Sequence, residues 1–246
     1  MSPVAVRRRR RYHSLVPEGP EVETVRRSLA PLLVGLQLGV TKVSPHALRT
    51  RVAAKGFAAL AGRRVASVDR HGKALFIVLD DASGLVVRLG MTGKVLVVDA
   101  HTKPEAHTHV RIAVAAPAAP HTLDAPDAPD DERAPDDERA RARELRYVDA
   151  RRFGEVVPYA SPAERAAVVA EMGPDALTLD AAARAFVRDA LAKTKRALKD
   201  VLLDQRVLAG VGNIYAAEIL FRARLSPFRQ GASLDHDEVD TERMVR

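Results

Sequence analysis

A change of hydrophobic period near Tyr159 constrains this chain more than any other feature. From Val65 to Tyr159 the apolar residues fall in short β-branched or alternating runs: "RVASVDR", "KALFIVLD", "GLVVRLG", "KVLVVD", "HVRIAVA", "LRYVD" and "GEVVPY". Turns such as "DDASG" and "MTG" separate them, a spacing that predicts an antiparallel sandwich or barrel. From Ser161 onward the period becomes helical, through "PAERAAVVAEM", "DAAARAFVRDAL", "RALKDVLLD", "IYAAEILFRARL" and "DHDEVDTERMVR". Upstream, Val22, Val25, Leu29, Leu32 and Leu33 recur at helical spacing, predicting an amphipathic helix from Glu18 to about Leu36, closed by Gly35 and Gly39. The fold class is therefore α+β in two domains. Residues 17–160 form a helix plus an antiparallel β-sandwich, and residues 161–246 form an all-α domain joined near "PYASP".

Two segments stand outside this pattern. The stretch 115–143 is rich in proline and acid, carries two tandem copies of "APDDER", and holds too little apolar surface to order itself, so it reads as a disordered insertion between strands. The first sixteen residues contain five consecutive arginines but no apolar core of the kind an export signal needs. The net charge of +7 remains positive when both segments are set aside, which makes nucleic acid the leading partner class. No apolar run approaches the length of a membrane span, so no membrane partner is expected. The absence of cysteine excludes disulfides and thiolate metal sites and fits a cytoplasmic location.

Several stretches carry chemistry. "PEGPEVETVRR", starting at Pro17, would be an ordinary helix start if its proline is internal, because an acylated proline nitrogen is not nucleophilic. As a chain terminus the same nitrogen is a secondary amine; α-amino groups titrate near ~7.7–8.0, well below lysine's ~10.4, so much of it would be neutral and reactive. "HTHVRIAV" sets His107 and His109 two apart, on one face of a strand, but no further ligands are at hand and no metal is expected. "ARRFG" offers two cations and a planar side chain in a tight loop, suited to phosphate and to unstacked bases; solvated arginines beside a buried Phe are the alternative. In "LKDVLLDQRVLAGVGNIYAAEILFRARLSP" a glycine-bearing double turn joins two helices. Gly210 and Gly212 would let backbone approach phosphate, and Asn213 would cap the second helix and donate from its amide.

These stretches, in this order along almost the whole chain, resemble the formamidopyrimidine-DNA glycosylase family, whose members begin Met-Pro-Glu-Leu-Pro-Glu-Val-Glu and lose the methionine. "VPEGPEVE" fits if Val16 stands at the initiator position, which implies that residues 1–16 are absent from the mature protein. The resemblance implies a bifunctional glycosylase and abasic-site lyase acting on damaged double-stranded DNA as a monomer. Pro17 would be the nucleophile, Glu18 a proton shuttle, and Glu21 a support that orients the sugar. "HGKALF" resembles the segment carrying the family's catalytic lysine, here Lys73, and "LVVRLGMTGKV" the one whose methionine enters the DNA stack, here Met91. His107 becomes a DNA contact, Arg151 a void filler, Arg152 a phosphate contact and Phe153 a wedge. The double turn becomes the helix-two-turn-helix, with Lys195 and Lys199 on the preceding helical segment clamping the same strand.

The family's common form ends in a four-cysteine zinc finger. This chain has no cysteine and stops at Arg246 before such a module could begin, so the helical domain reads as truncated, as a shortened form or as completed by a partner, and no zinc or other cofactor is expected. "EVETVRR" and "RRFG" resemble the branch acting on oxidised purines, whereas the glycine of "PEGPE" is common in the endonuclease VIII branch acting on oxidised pyrimidines. A noncatalytic DNA-binding protein is the remaining reading, should Pro17 lie inside a peptide chain.

Overall fold

The computed structural model describes residues 16–46, 48, 54–116 and 142–234. Most of the arginine-rich segment, most of the acidic insertion and the last twelve residues lie outside the described residues, as do the expectations that fall on them.

Helix α1 (Gly19–Leu33) leads into β1 (Gln37–Val43) and the short α2 (Ala54–Ala58). Seven strands follow: β2 (Val65–His71), β3 (Ala74–Leu79), β4 (Gly84–Arg88), β5 (Lys94–Asp99), β6 (Thr108–Ala115), β7 (Arg143–Val148) and β8 (Glu155–Tyr159). They make two antiparallel four-stranded sheets, ordered β1-β6-β7-β5 and β2-β3-β4-β8. The helical part comprises α3 (Pro162–Ala170), α4 (Ala181–Ala192), α5 (Leu198–Leu203) and α6 (Asn213–Ala223).

Strand β3 shows why the two parts adhere. All of "ALFIVL" is buried, as expected of a strand covered on both faces. Leu75, Ile77 and Leu79 point into the sandwich core with Leu85, Val87 and Ile112. On the opposite face, Ala74, Phe76 and Val78 pack with Val86 and Tyr159, and Val168, Val169 and Met172 from α3 and its C-terminal end cover them. The helical part keeps its own core, centred on Val187, Leu191, Leu198, Val201 and Leu220. A buried ion pair ties the parts together: the Arg70 guanidinium on β2 bonds both carboxylate oxygens of Asp175, which also accepts the Gly72 amide at 2.7 Å. The pair is multiply hydrogen-bonded, the condition under which a buried charge is tolerated.

Two features differ from the sequence expectation. Helix α1 ends at Leu33, and Gly39 closes nothing: it lies inside β1, where a side chain would meet the Ala113 methyl at 3.1 Å. The pairing of β1 with β6 shifts register between Leu38 and Thr41, so Gly39 belongs to a bulge.

Candidate active site and DNA-facing loops

Three backbone segments meet at glycines. The Gly19 amide at the start of α1 donates to the Gly210 carbonyl at 2.8 Å. Gly210 takes φ +105°, and a β-carbon there would lie 3.6 Å from the Cα atoms of both Gly19 and Gly72; one on Gly72 would lie 2.8 Å from the Ala209 methyl. The residues flanking these glycines are thereby set around one point: Pro17 and Glu18 before α1, Lys73 in the β2–β3 turn, and the double turn before α6. Gln205 holds that turn by donating to the Leu203 and Val211 carbonyls and accepting the Gly210 amide.

Glu18 is 1 % exposed, and its carboxylate reaches across to the N-terminus of α6. It accepts from the amides of Gly212 (2.7 Å), Ile214 (2.8 Å) and Tyr215 (3.1 Å). A helix N-terminus is an anion site by its dipole and unpaired amides, and here the anion is a side chain of the same protein. Glu21 accepts the Glu18 amide at 3.0 Å and the Tyr215 hydroxyl at 3.3 Å. The double turn packs against the start of α1, and its cap residue differs from the expectation. Gly210 and Gly212 make room for the segment around Pro17; a side chain on Gly212 would collide with Glu18. Asn213 is the first residue of α6 and exposed, while Gly212 holds the cap position.

In front of Glu18 lies a cleft of about 540 Å³, lined by Pro17, Lys73, Met91, Phe153, Glu155, Glu171, Met172 and Gln205 among others. That volume suits one nucleobase with its sugar. Burial lowers the Lys73 ammonium below the usual lysine range, and the nearby Glu18 carboxylate partly opposes the shift.

The mouth is made by two loops. Met91 is half-buried on the β4–β5 turn, whereas Arg151, Arg152 and Phe153 are exposed on the β7–β8 connection. Phe153 keeps 48 % of its surface in solvent, with the Arg151 guanidinium 5.0 Å from its ring centre. Arg152 takes φ +59°, in the left-handed region. The two histidines differ in burial but line the same hollow: His107 is exposed at φ +66° just before β6, while His109 is buried with Nε2 2.9 Å from the Asp149 carbonyl. His107 and Arg152 line a separate 420 Å³ hollow with His46. Lys195 is exposed in the loop between α4 and α5, not on a helix; Lys199 lies on α5.

Sequence reasoning missed Asp149, Gln205 and Thr92. Each acts by holding a turn or loop in place, and the Thr92–Asp149 pair meets only in the fold. The visible clue was an Asp opening "DARRFG", a residue type that favours such turns. The residues present do not fit the family's zinc: the sequence has no cysteine, and among the described residues no three histidines or carboxylates cluster for a metal.

A model of the formamidopyrimidine-DNA glycosylase N-terminal domain matches residues 16–156, and one of the formamidopyrimidine-DNA glycosylase H2TH domain matches residues 172–243. The chain is 37% identical over 228 residues to the formamidopyrimidine-DNA glycosylase of Geobacillus kaustophilus, covering 92% of this chain and 73% of that protein. It is 40% identical over 227 residues to the one from Heliobacterium modesticaldum, covering 91% and 73%. Among solved structures, the MutM (Fpg) protein of Thermus thermophilus superposes with a TM-score of 0.69 at 36% identity, over 94% of this chain and 72% of that one. Lactococcus lactis Fpg, solved with DNA containing an abasic site, shares the fold at a TM-score of 0.72 and 24% identity, over 93% and 75%.

Proposed function

The chain belongs to the formamidopyrimidine-DNA glycosylase family and is a base-excision repair DNA glycosylase; from that premise we propose that it works through the amine of Pro17. The damaged nucleotide leaves the helix and enters the cleft between the sandwich and the helical part. Met91, Arg151 and Phe153 occupy the space it vacates, Arg152, His107, Lys195, Lys199 and Asn213 hold phosphates, and Glu21 supports the corner behind the sugar.

The Pro17 nitrogen attacks C1′ with its lone pair as the bond from C1′ to the base breaks, and Lys73 gives the departing base a proton. The proton on the attacking nitrogen passes to the ring oxygen O4′ as the C1′–O4′ bond breaks, which opens the sugar to an iminium that draws electrons from C2′. Loss of the C2′ proton then forms a C2′–C3′ double bond and expels the 3′ phosphate. Glu18 was expected to shuttle protons; a carboxylate bound by three amides is better suited to anchoring the residue before α1 and to stabilising the cationic iminium nearby. The nucleophile is activated by its own low basicity and by its surroundings, so the reaction as written uses no metal or redox group.

The observation that carries this reading is the convergence of Pro17 and Lys73 on one cleft with Glu18 fixed behind it. It requires Pro17 to be the first residue of the working protein, and the family match beginning at residue 16 agrees. Oxidised purines are the proposed substrates. Gly19, the one pointer toward oxidised pyrimidines, has a packing reason of its own against Gly210. The enzyme is proposed to act as a monomer on chromosomal DNA in the cytoplasm. The intact mass of protein expressed from its own gene with the native upstream sequence tests the requirement, combined with incision of duplexes containing 8-oxoguanine or an oxidised pyrimidine. A mass starting at Pro17 with preferential cutting of the purine substrate is expected. Undiminished cutting by protein that retains residues before Pro17 would overturn the amine mechanism.

A further inference from the structure

The two loops that carry Met91 and Phe153 both cross between the sheets of the sandwich. The β4–β5 turn passes from the second sheet to the first, and the β7–β8 connection passes back. They touch backbone to backbone: a β-carbon on Gly90 would lie 2.6 Å from the Gly154 amide nitrogen and 2.7 Å from the Phe153 carbonyl carbon. One on Gly154 would strike the Arg88 carbonyl and the Tyr147 hydroxyl. Contact this close leaves no slack, so what fixes one loop fixes the other.

Asp149, fully buried, sits at that junction. Oδ1 accepts the Thr92 hydroxyl from the first loop and the Arg151 amide, at 3.2 Å, from the second. Oδ2 accepts the Gly154 amide at 2.9 Å and lies 3.4 Å from the Tyr147 hydroxyl, which also donates to the Arg88 carbonyl. The Thr92 oxygen is itself an acceptor for the Arg151 amide at 3.1 Å, closing a ring between the loops. Behind it the Asp149 carbonyl accepts from His109, which ties the junction to β6. Burial pushes the Asp149 carboxyl up, but the hydrogen bonds from Thr92, Gly154, Arg151 and Arg152 outweigh it and hold the group below the usual carboxylate range.

We infer that Asp149 and Thr92 form a clasp that makes Met91, Arg151 and Phe153 one rigid wedge, so that the three side chains enter the DNA stack together. Neither residue touches substrate; both are positioning residues. The inference rests on reading those three side chains as the void fillers. A rigid wedge matters because unstacking a base step costs a few kcal/mol, and a loose one would lose part of its insertion energy to ordering itself.

Thr92→Val removes the hydroxyl that links the first loop to Asp149 and to the Arg151 amide, while leaving Asp149 its bonds within its own loop. It is expected to lower excision from duplex DNA roughly tenfold, the scale of one lost hydrogen bond to a charged group, and to lower cleavage of a single-stranded abasic site several-fold less. Thr92→Ser, which keeps the hydroxyl, should restore excision. The fluorescence rise of 2-aminopurine placed opposite the lesion, a direct report of wedge insertion, should be slowed by Thr92→Val. In a Phe153→Ala background Thr92→Val should add little. Full multiplication of the two effects, equal loss on duplex and single strand, or no rescue by serine would overturn the clasp. Wild-type protein that cannot excise from duplex at all would instead overturn the glycosylase reading, whereas active wild type with an unaffected Thr92→Val variant would sink the clasp alone.

Discussion

The corner around Glu18 and the wedge around Phe153 are built to opposite rules. At the corner, three glycine backbones are in contact, and the Glu18 carboxylate has three amide partners at 2.7–3.1 Å. The wedge leaves a half-exposed phenyl ring and two exposed arginines in water. A nucleophile must be held to within fractions of an ångström, so its support is finished before substrate arrives. A void filler gains only when a base has left the stack, so its apolar surface stays exposed until then. The same molecule spends its buried polar groups on the first task and its exposed apolar ones on the second.

Substitutions should separate the two. Glu18→Gln gives α6 an amide group where a second oxygen was accepting, and removes the charge that faces the iminium. Excision should fall about 10³-fold, the upper range for losing a preorganised electrostatic group, in duplex and single-stranded substrates alike. A loss confined to duplex DNA would merge corner and wedge into one function.

Lys73→Met should cost about 10²-fold, as removal of a general acid does, and should also change the pH profile. In the wild type the rate should rise as the terminal amine loses its proton near ~7.7–8.0. It should fall again as Lys73 deprotonates, below the ordinary ~10.4 because burial lowers that group. The alkaline limb should disappear in Lys73→Met, and its persistence would assign the proton to another residue.

Phe153→Ala carries the smallest expected effect, about tenfold on duplex excision, in line with ~1–3 kcal/mol for a stacked aromatic. Cleavage of a preformed single-stranded abasic site should be affected much less; equal effects would remove Phe153 from the wedge.

The strands and most helices were legible because their patterns are local: the solid run of "ALFIVL" follows directly from a strand covered on both faces. Strand β1 was not, because Gly39 reads as a terminator until Ala113 is placed beside it. The double turn was recognisable, but its partner was not. Its amides meet Glu18 almost two hundred positions away, and no periodicity carries that distance. Asp149 was half-hidden: its turn partners Arg151 and Gly154 are local, but Thr92 arrives from a loop 57 positions away.

The central claim is a covalent bond between the Pro17 nitrogen and the sugar. Borohydride reduction during turnover traps such an iminium as a stable amine, and peptide mass spectrometry locates it. The sugar is expected on the amine of an N-terminal Pro17 peptide; a sugar on Lys73, or no adduct during active cleavage, would contradict the proline mechanism.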